Sequence, residues 1–487
     1  MKKILCIMAV VTALSSCQKT LQEVPVDRLT EENFYQTPTD ARSAIYSIYD
    51  ALRSTGYYGM IYLLEQEANT DYANGRGSYA FISEYQGLDG TNIGRVEGVW
   101  SQAYRAILRS NIALERIPAI AMDETEKKGL LAEARFLRAL VYYDLVRNWG
   151  GVPIRTSTTA SNDVPRSSVD EVYKLILEDL TAAETDLPAT PAVAGRATSW
   201  AAKTLLADVY LTRQNWTQAR DKAKEVMDGK AYSLVPVTTV ADFEKIYGAT
   251  VTTSSEDIFS LKYSSTGGQG FQYLLYIHAE NTQYSPPGFR TIYARQTFPL
   301  IANWDAKDLR KEFNIYGQYV NRTTGQIVTL PANEPYQFRK FKDPASVAAN
   351  ASGNDLPLLR YADALLIYAE AASQAAGGPT PEAYQAVNQV RRRAYGADIA
   401  TANAAVDYAG LSAQAFREAV LQERAYEFMI EGKRWNDMKR LGVDQVKALV
   451  QKAKGKTMKD SHVLWPIPKA ELDNNGAINA EDQNPGY

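Results

Sequence analysis

The sequence predicts a mainly α-helical fold, an irregular tetratricopeptide-like helical repeat interrupted by one loop-rich segment with minor β-structure. Apolar residues recur at helical spacing in several long stretches, which is the pattern of packed helices. Small residues recur at similar places in successive helical pairs, as they do in repeat proteins. Residues 231–356 lose the helical spacing and are rich in aromatic residues. We therefore expect a helical scaffold at 31–230 and 357–487 around an insertion at 231–356.

The first predicted helix, from Asp40 to Leu52, is followed by a segment with the composition of a loop. The helix carries one apolar face, formed by Ala41, Ala44, Ile45, Ile48 and Leu52. Residues 53–99 then hold eight glycines with six tyrosines among them. Glycine-punctuated aromatic residues are typical of loops, and loops commonly carry binding residues. A helix is expected to resume at Trp100 and to end near Pro118.

The stretch from Ala132 to Pro153 predicts one long helix that is buried among its neighbours. It reads AEARFLRALVYYDLVRNWGGVP, with apolar residues over most of the helical circumference. Gly150 and Gly151 allow left-handed backbone, and proline cannot continue the hydrogen-bond ladder, so the helix is expected to end there.

Further helical pairs suggest the repeat. An amphipathic helix is expected at 169–187, and 198–211 with 217–227 should form a helical hairpin. Within this hairpin a partial tetratricopeptide pattern is formed by Leu206, Ala207, Tyr210, Ala219 and Ala223. Segments 357–375 and 381–395 have similar lengths and alanine-rich faces. Together these pairs predict about four irregular units.

The insertion is expected to contain one strand and long functional loops. Residues from Glu256 to Tyr263 alternate as a strand does. The loop-rich region that follows extends to Asn354 and holds ten tyrosine, phenylalanine and tryptophan residues between 273 and 319. A loop segment of this length is usually functional or disordered, and its aromatic content argues against disorder.

The closing part of the chain predicts a helix crowded with charges. One face holds Leu421, Ala425, Phe428, Gly432 and Trp435. The charged residues are Glu423, Arg424, Glu427, Glu431, Arg434, Asp437 and Arg440. They form either an acid–base cluster or an ion-pair network that fixes the helix. The network is the favoured interpretation, because structural networks carry the same residue types at helical spacing.

The amino terminus predicts a lipoprotein signal. Lys2 and Lys3 precede an apolar run from Ile4 to Leu14, which is too short to span a bilayer but suits a signal peptide. Small residues then lead to Cys17, in a pattern similar to the lipobox of bacterial lipoproteins. We expect a signal peptide at 1–16, a lipidated tether at 17–30 with the lipid on Cys17, and one domain at 31–487. Removal of Cys6 with the signal would leave no free thiol in the mature chain.

Charge and composition disfavour several functions. The net charge is −3, without the basic stripe expected of a nucleic-acid-binding protein. The two histidines, His278 and His462, lie in no nucleophile or zinc-binding pattern. No metal or cofactor is expected. The enzymatic alternative is a pair of carboxylates, with Glu65 and Glu67 on one face of a strand and Asp71 after it, as in a glycoside hydrolase. Close acidic pairs are inevitable among 56 acidic residues, so we expect no enzyme.

Three motifs resemble the SusD/RagB family of nutrient-binding outer-membrane lipoproteins of Bacteroidetes. They are the long helix at 132–153, the run LQERAYEFMIEGKRWNDMKRLG, and VLWPIPKAELDNN near the end of the chain. The resemblance covers nearly the whole mature chain, although the middle third matches by position more than by motif. It implies a helical scaffold, binding without turnover, and anchorage at the extracellular face of the outer membrane. It also implies a partner, a SusC-like TonB-dependent transporter.

A glycan ligand is expected to stack on exposed aromatic rings, because a sugar ring has an apolar face and a rim of hydroxyls. The stacking candidates, chosen by composition and rough position, are Tyr57, Tyr72, Trp100, Tyr284, Phe289, Tyr293 and Trp304. The polar candidates are Asp71, Arg76, Asn92 and Asn281. The alternative function is a lipid-anchored repeat protein that binds peptides or another protein, and a surface glycoside hydrolase is the third possibility.

Overall fold

The structure, a computed structural model, describes residues 34–487. The predicted signal peptide, Cys17 and the tether lie outside the described residues. Within the described part, no helix is long and apolar enough to cross a membrane. The fold is mainly helical with a few short strands, as the sequence predicts.

The first part of the chain contains five helices and one short strand. Their bounds are α1 Pro38–Arg53, α2 Ile61–Ala68, β1 Asn74–Gly75, α3 Tyr79–Ser83, α4 Gly90–Arg116 and α5 Glu124–Trp149. The segment predicted as loop therefore contains α2 and α3, and α4 begins ten residues before the expected Trp100. The reason is capping: Asp89 accepts a hydrogen bond from the backbone N–H of Asn92, which starts the helix despite its glycines.

Helix α5 is the buried centre of the scaffold, as its sequence predicts. Almost every side chain from Ala132 to Trp149 is buried, and Gly150 ends the helix with a φ of 73°. Its carboxyl end is closed by groups from the end of the chain. The Lys439 ammonium donates to the Arg147 carbonyl at 2.5 Å, and the Trp149 indole donates to the Pro466 carbonyl at 2.8 Å. The two segments with the strongest family resemblance thus pack against each other.

The next three helices continue the repeat. They are α6 Val169–Asp186, α7 Ser199–Thr212 and α8 Trp216–Asp228, within one or two residues of their predicted bounds. Ser168 caps α6 reciprocally with Glu171, and Thr198 caps α7. The tetratricopeptide-like residues Ala207, Ala219 and Ala223 are all fully buried in one hydrophobic core, as the expected close approach of these helices requires.

The insertion consists of short helices and strands. Their bounds are α9 Glu244–Tyr247, β2 Asp257–Leu261, α10 Leu274–Ile277, β3 Ile292–Tyr293, α11 Pro299–Ala302, α12 Leu309–Asn314, β4 Ile315–Tyr316, β5 Gln318–Val320, β6 Ile327–Thr329, β7 Gln337–Phe338 and β8 Leu356–Arg360. The strands pair antiparallel as β1–β3, β2–β8, β4–β7 and β5–β6. The predicted strand is β2, and its pairing with β8 ties the insertion to the scaffold.

The remaining helices are α13 Tyr361–Ala376, α14 Pro381–Ala394, α15 Ala413–Glu427, α16 Arg434–Lys439, α17 Val443–Lys454 and α18 Lys469–Asn474. The expectation of one continuous closing helix is wrong, because α15 and α16 are separate. Between them Ile430 and Gly432 have positive φ angles of 65° and 73°. Their backbone N–H groups donate to the Tyr72 hydroxyl and the Glu67 carboxylate, so contacts with an early segment hold the break.

Candidate ligand-binding site

The pairing of β1 with β3 brings together Arg76 and Phe289, two of the residues predicted to bind ligand. Asn74 lies opposite Tyr293 and Gly75 opposite Ile292, and the Arg76 N–H donates to the Thr291 carbonyl at 2.7 Å. The Arg76 guanidinium then reaches the carbonyl of Phe289 at 3.4 Å. Residues more than two hundred positions apart in the chain therefore form one local surface.

Phe289 presents an open ring on this surface, with 61% of the residue exposed. The ring meets Tyr276 edge-on at 5.7 Å between centroids. Its backbone is fixed, since the Phe289 N–H donates to the Leu275 carbonyl at 2.6 Å. The preceding Gly288 passes so close to Ala279 that an added Cβ would lie 2.4 Å from its backbone. Only glycine allows this approach, which holds the loop that presents the ring.

Charged groups lie beside the backbone of Phe289 on the same surface. The Glu334 carboxylate lies between two guanidinium groups, with Oε1 3.3 Å from Arg76 Nε and Oε2 3.0 Å from Arg290 Nη2. Tyr336 brings this segment against the loop, because its carbonyl accepts from the Ala294 N–H at 3.0 Å. We call the resulting surface the ledge and define it by Arg76, Tyr276, Phe289, Arg290, Glu334 and Tyr336.

Five of the seven predicted stacking rings do not lie on an open surface, so the expectation that they form an exposed platform is wrong. Tyr57, Tyr72, Trp100, Tyr293 and Trp304 are all buried. Each ring has an internal partner.

Three of these rings show how the interior uses them. The Tyr57 hydroxyl donates to Asp144 at 2.6 Å. Trp100 meets Trp149 at 5.3 Å between centroids, and Trp304 stacks on Tyr426 at 4.3 Å with the planes 10° apart. The other two are engaged similarly, since Tyr72 donates to Glu67 and Tyr293 accepts from Arg295. Tyrosine and tryptophan satisfy their polar atoms in this way when they are buried.

The other predicted residues divide between interior and surface. Asp71 is buried in a bidentate ion pair with Arg434, at 2.9 and 2.6 Å, and Asn92 is buried with its amide donating to the Ser78 carbonyl. Neither is open to a ligand. Tyr284 and Asn281 are half-buried in the loop before Phe289.

Sequence reasoning missed Tyr276, Arg290, Glu334 and Tyr336. Arg290 follows Phe289 directly in the sequence, so its position beside a predicted stacking residue could have identified it. Glu334 and Tyr336 offered none, because only the bridge between Ala294 and Tyr336 brings them to the ledge.

The carboxylates that suggested catalysis are buried within the fold. Glu65 and Glu67 lie in helix α2, not on a strand as predicted, and neither is exposed. Burial raises the pKa of Glu65 to about 8 and that of Glu67 to about 7. His278 is also buried, which lowers its pKa to about 4. Within residues 34–487 no group of three or more His, Cys, Asp or Glu could hold a metal ion.

The charges of the closing helices form the ion-pair network that the sequence favoured. Glu427 at the end of α15 contacts Arg310, Arg360 and Arg393, and all four side chains are buried. Arg424 pairs with Asp437, and Arg434 with Asp71. These groups connect α12, β8, α14 and α15, so they fix the insertion to the scaffold.

Comparison with known proteins gives a consistent result. The SusD family model matches residues 290–487, and a second model, described as starch-binding and associating with the outer membrane, matches residues 29–211. A SusD-like protein P2 from Formosa agariphila is 29% identical over 496 residues, which cover 96% of each chain.

Solved structures agree in fold. A SusD homologue from Bacteroides thetaiotaomicron superposes with a TM-score of 0.80 at 24% identity, over 94% of this chain and 98% of that one. A laminarin-binding SusD-like protein gives a TM-score of 0.74 at 22% identity, over 93% and 100%. The three sequence motifs, the helical fold and these matches all agree: the chain belongs to the SusD/RagB family of Bacteroidetes.

Proposed function

We propose that this protein captures an oligosaccharide on the ledge without cleaving it and delivers it to a SusC-like TonB-dependent transporter. The observation that supports the ledge most strongly is the open ring of Phe289, in a loop whose backbone is hydrogen bonded to Leu275 and lies beside the Arg76 guanidinium. The family's description as starch-binding and the relative that binds laminarin support a glycan ligand. Binding without turnover fits a surface whose carboxylate, Glu334, is held between two guanidinium groups.

The ledge has the physical features that a sugar requires. A flat apolar ring stacks on the C–H face of a pyranose, and Tyr276 packs edge-on against that ring. The guanidinium groups of Arg76 and Arg290 donate hydrogen bonds in a fixed planar geometry to oxygen atoms at the sugar's rim. Because the loop backbone is already hydrogen bonded, little ordering entropy is lost on binding.

Phe289→Ala is expected to weaken glycan binding at least about tenfold, which corresponds to about 1.4 kcal/mol. The reason is the loss of the stacking face, since the residue is mostly exposed and contributes little to the core. Isothermal calorimetry with laminarin and with soluble starch measures the change. Phe289→Trp keeps a flat ring and should retain binding. Leu108→Ala, which removes a half-exposed apolar side chain on α4, is the matched control and should bind as the parent does.

Two results would contradict the proposal. Unchanged glycan affinity in Phe289→Ala would remove the ledge from the binding site. Binding of peptides with no glycan signal in the same calorimeter would favour the peptide-binding alternative, and release of reducing ends from a polysaccharide would establish a hydrolase.

The lipid anchor is a separate part of the proposal and has its own test. Cys17→Ala is expected to release the protein from the membrane, because acyl chains on this residue would supply the membrane affinity. Fractionation of cells that express the parent and the variant measures this. Recovery of the variant in the outer-membrane fraction at the parent's level would rule out lipidation at Cys17. Co-purification of the parent with a TonB-dependent barrel would support the transporter partnership.

A further inference from the structure

We propose that the ledge is selective for glycans that carry an anionic group, a carboxylate or a sulfate ester, and that Arg76 and Arg290 recognise this group. The inference rests on the proposed function, because it concerns the same surface. It goes further, since it names the chemical class of sugar that the ledge favours.

The first step is the charge balance. Two guanidinium groups share the single carboxylate of Glu334, which leaves one positive charge uncompensated. Arg295, two residues after β3, makes no ion pair within 4.0 Å among residues 34–487 and donates to the Tyr293 hydroxyl at 3.0 Å. The segment from Phe289 to Arg295 therefore carries an excess of positive charge.

The second step is the number of donors that remain open. Arg76 directs Nη1 at the carbonyls of Phe289 and Arg290, at 3.4 and 3.3 Å, and Nε at Glu334. Its Nη2 has no hydrogen-bond partner in the described part of the chain. Arg290 uses Nη2 for Glu334, and its Nε and Nη1 are likewise without a partner there. Each of these open N–H groups can donate a charge-assisted hydrogen bond to an oxygen of a carboxylate or sulfate.

The third step is accessibility. The side chain of Arg76 is 41% exposed and that of Arg290 is 21% exposed, whereas Glu334 is only 13% exposed. A ligand that stacks on Phe289 therefore meets the guanidinium groups more readily than the carboxylate. Partial burial reduces screening by water and salt, so a charge–charge contact here is stronger than one on an open surface.

A purely structural role for the three charges predicts a different outcome, and two variants separate the two roles. Glu334→Gln removes the competing negative charge and is expected to strengthen binding of an anionic glycan about threefold to tenfold. Arg290→Gln is expected to weaken it about tenfold and to weaken binding of a neutral glycan much less, because a neutral rim oxygen loses a hydrogen bond but no charge–charge contact. If the three charges only hold the loop in place, both variants should lose affinity for neutral and anionic ligands together.

The experiment compares ligands that differ only in charge. Calorimetry of the full mature chain uses polygalacturonate oligosaccharides against their methyl esters, and carrageenan oligosaccharides against the same oligosaccharides after removal of the sulfate groups. The first pair tests a carboxylate and the second a sulfate. We expect tighter binding of one charged member, and an affinity that falls as NaCl rises from about 50 to about 500 mM.

The outcomes separate this inference from the proposed function. Equal or tighter binding of the neutral members, with Phe289→Ala still weakening them, overturns the selectivity and leaves glycan capture intact. A higher affinity for the anionic glycan in Glu334→Gln and a lower one in Arg290→Gln would support the selectivity. An absence of binding to all four of these ligands and to laminarin and starch overturns both statements.

Discussion

Glu427→Gln is expected to lower the free energy of unfolding by about 3–5 kcal/mol, the range seen when one partner of a buried ion pair is removed. The Glu427 carboxylate contacts Arg393 Nη2 at 2.6 Å, Arg360 Nη1 at 2.9 Å and Arg310 Nη1 at 3.2 Å. Glutamine has nearly the same shape and removes the charge, so three buried guanidinium groups lose their common counter-ion. Urea unfolding followed by circular dichroism measures the loss.

The pH dependence gives an independent check of the same prediction. Burial alone would raise the pKa of Glu427, but the positive charges of Arg393, Arg360, Arg310 and Lys340 outweigh burial and hold it well below 4.5. A carboxyl with a depressed pKa stabilises the fold above the unfolded-state value, and this contribution is lost as pH falls through the folded-state value. The stability difference between parent and Glu427→Gln should therefore narrow in acid.

The exposed pair Lys224–Asp228 supplies the control. Its atoms lie 2.7 Å apart on the surface of α8, and Asp228→Asn is expected to cost no more than about 0.5 kcal/mol. If Glu427→Gln lowers the free energy of unfolding by as little as Asp228→Asn does, the buried network adds nothing to stability.

Glu65→Gln is expected to stabilise the protein at alkaline pH. Glu65 is fully buried in α2, and neither carboxylate oxygen has a hydrogen-bond partner among the described residues. Burial raises the pKa of this group to about 8, while the charge of Arg95 acts in the opposite direction. The native protein therefore keeps a neutral carboxyl at pH 7, and glutamine is a neutral group of nearly the same shape.

The sign follows from the two protonation states. In the unfolded chain the carboxyl ionises near 4.5, so the unfolded state gains stability as pH rises from about 4.5 to about 8 while the native state does not. At 1.36 kcal/mol per pH unit this amounts to at most about 5 kcal/mol. Glu65→Gln avoids this loss. Its free energy of unfolding should therefore exceed that of the parent only slightly at pH 5 and by the largest amount near pH 8.

Chemical denaturation of both proteins across this pH range tests the prediction. Glu178→Gln, at an exposed position of α6, is the control and should follow the parent at every pH. An advantage of Glu65→Gln that is the same at pH 5 and at pH 8 would show that the buried carboxyl titrates normally.

Helices were predicted well where local pattern alone specifies them. The apolar circumference of α5 and the caps before α6 and α7 are read directly from neighbouring residues. The break between α15 and α16 was not predicted, because the N–H groups of Ile430 and Gly432 bond to Tyr72 and Glu67, which are distant in sequence. The charged cluster was predicted as a network, but its arginine partners at 310, 360 and 393 come from other elements.

Prediction of the proposed binding surface was limited in the same way. Phe289 and Arg76 were both candidates, but the sequence could not rank them above Tyr57 or Trp304, because exposure is not a local property. Each tyrosine carries the same ring and hydroxyl whether it stacks on a ligand or donates to a buried carboxylate.

By itself the sequence determined the family, the helical class and most helix positions, since these depend on residue periodicity, capping and short motifs. Only the tertiary structure decided which aromatic ring faces the solvent and which charges surround it. The physical reason is that the pairing of β1 with β3, and of Ala294 with Tyr336, joins segments far apart in the chain. Burial is then set by what the whole fold packs against each side chain.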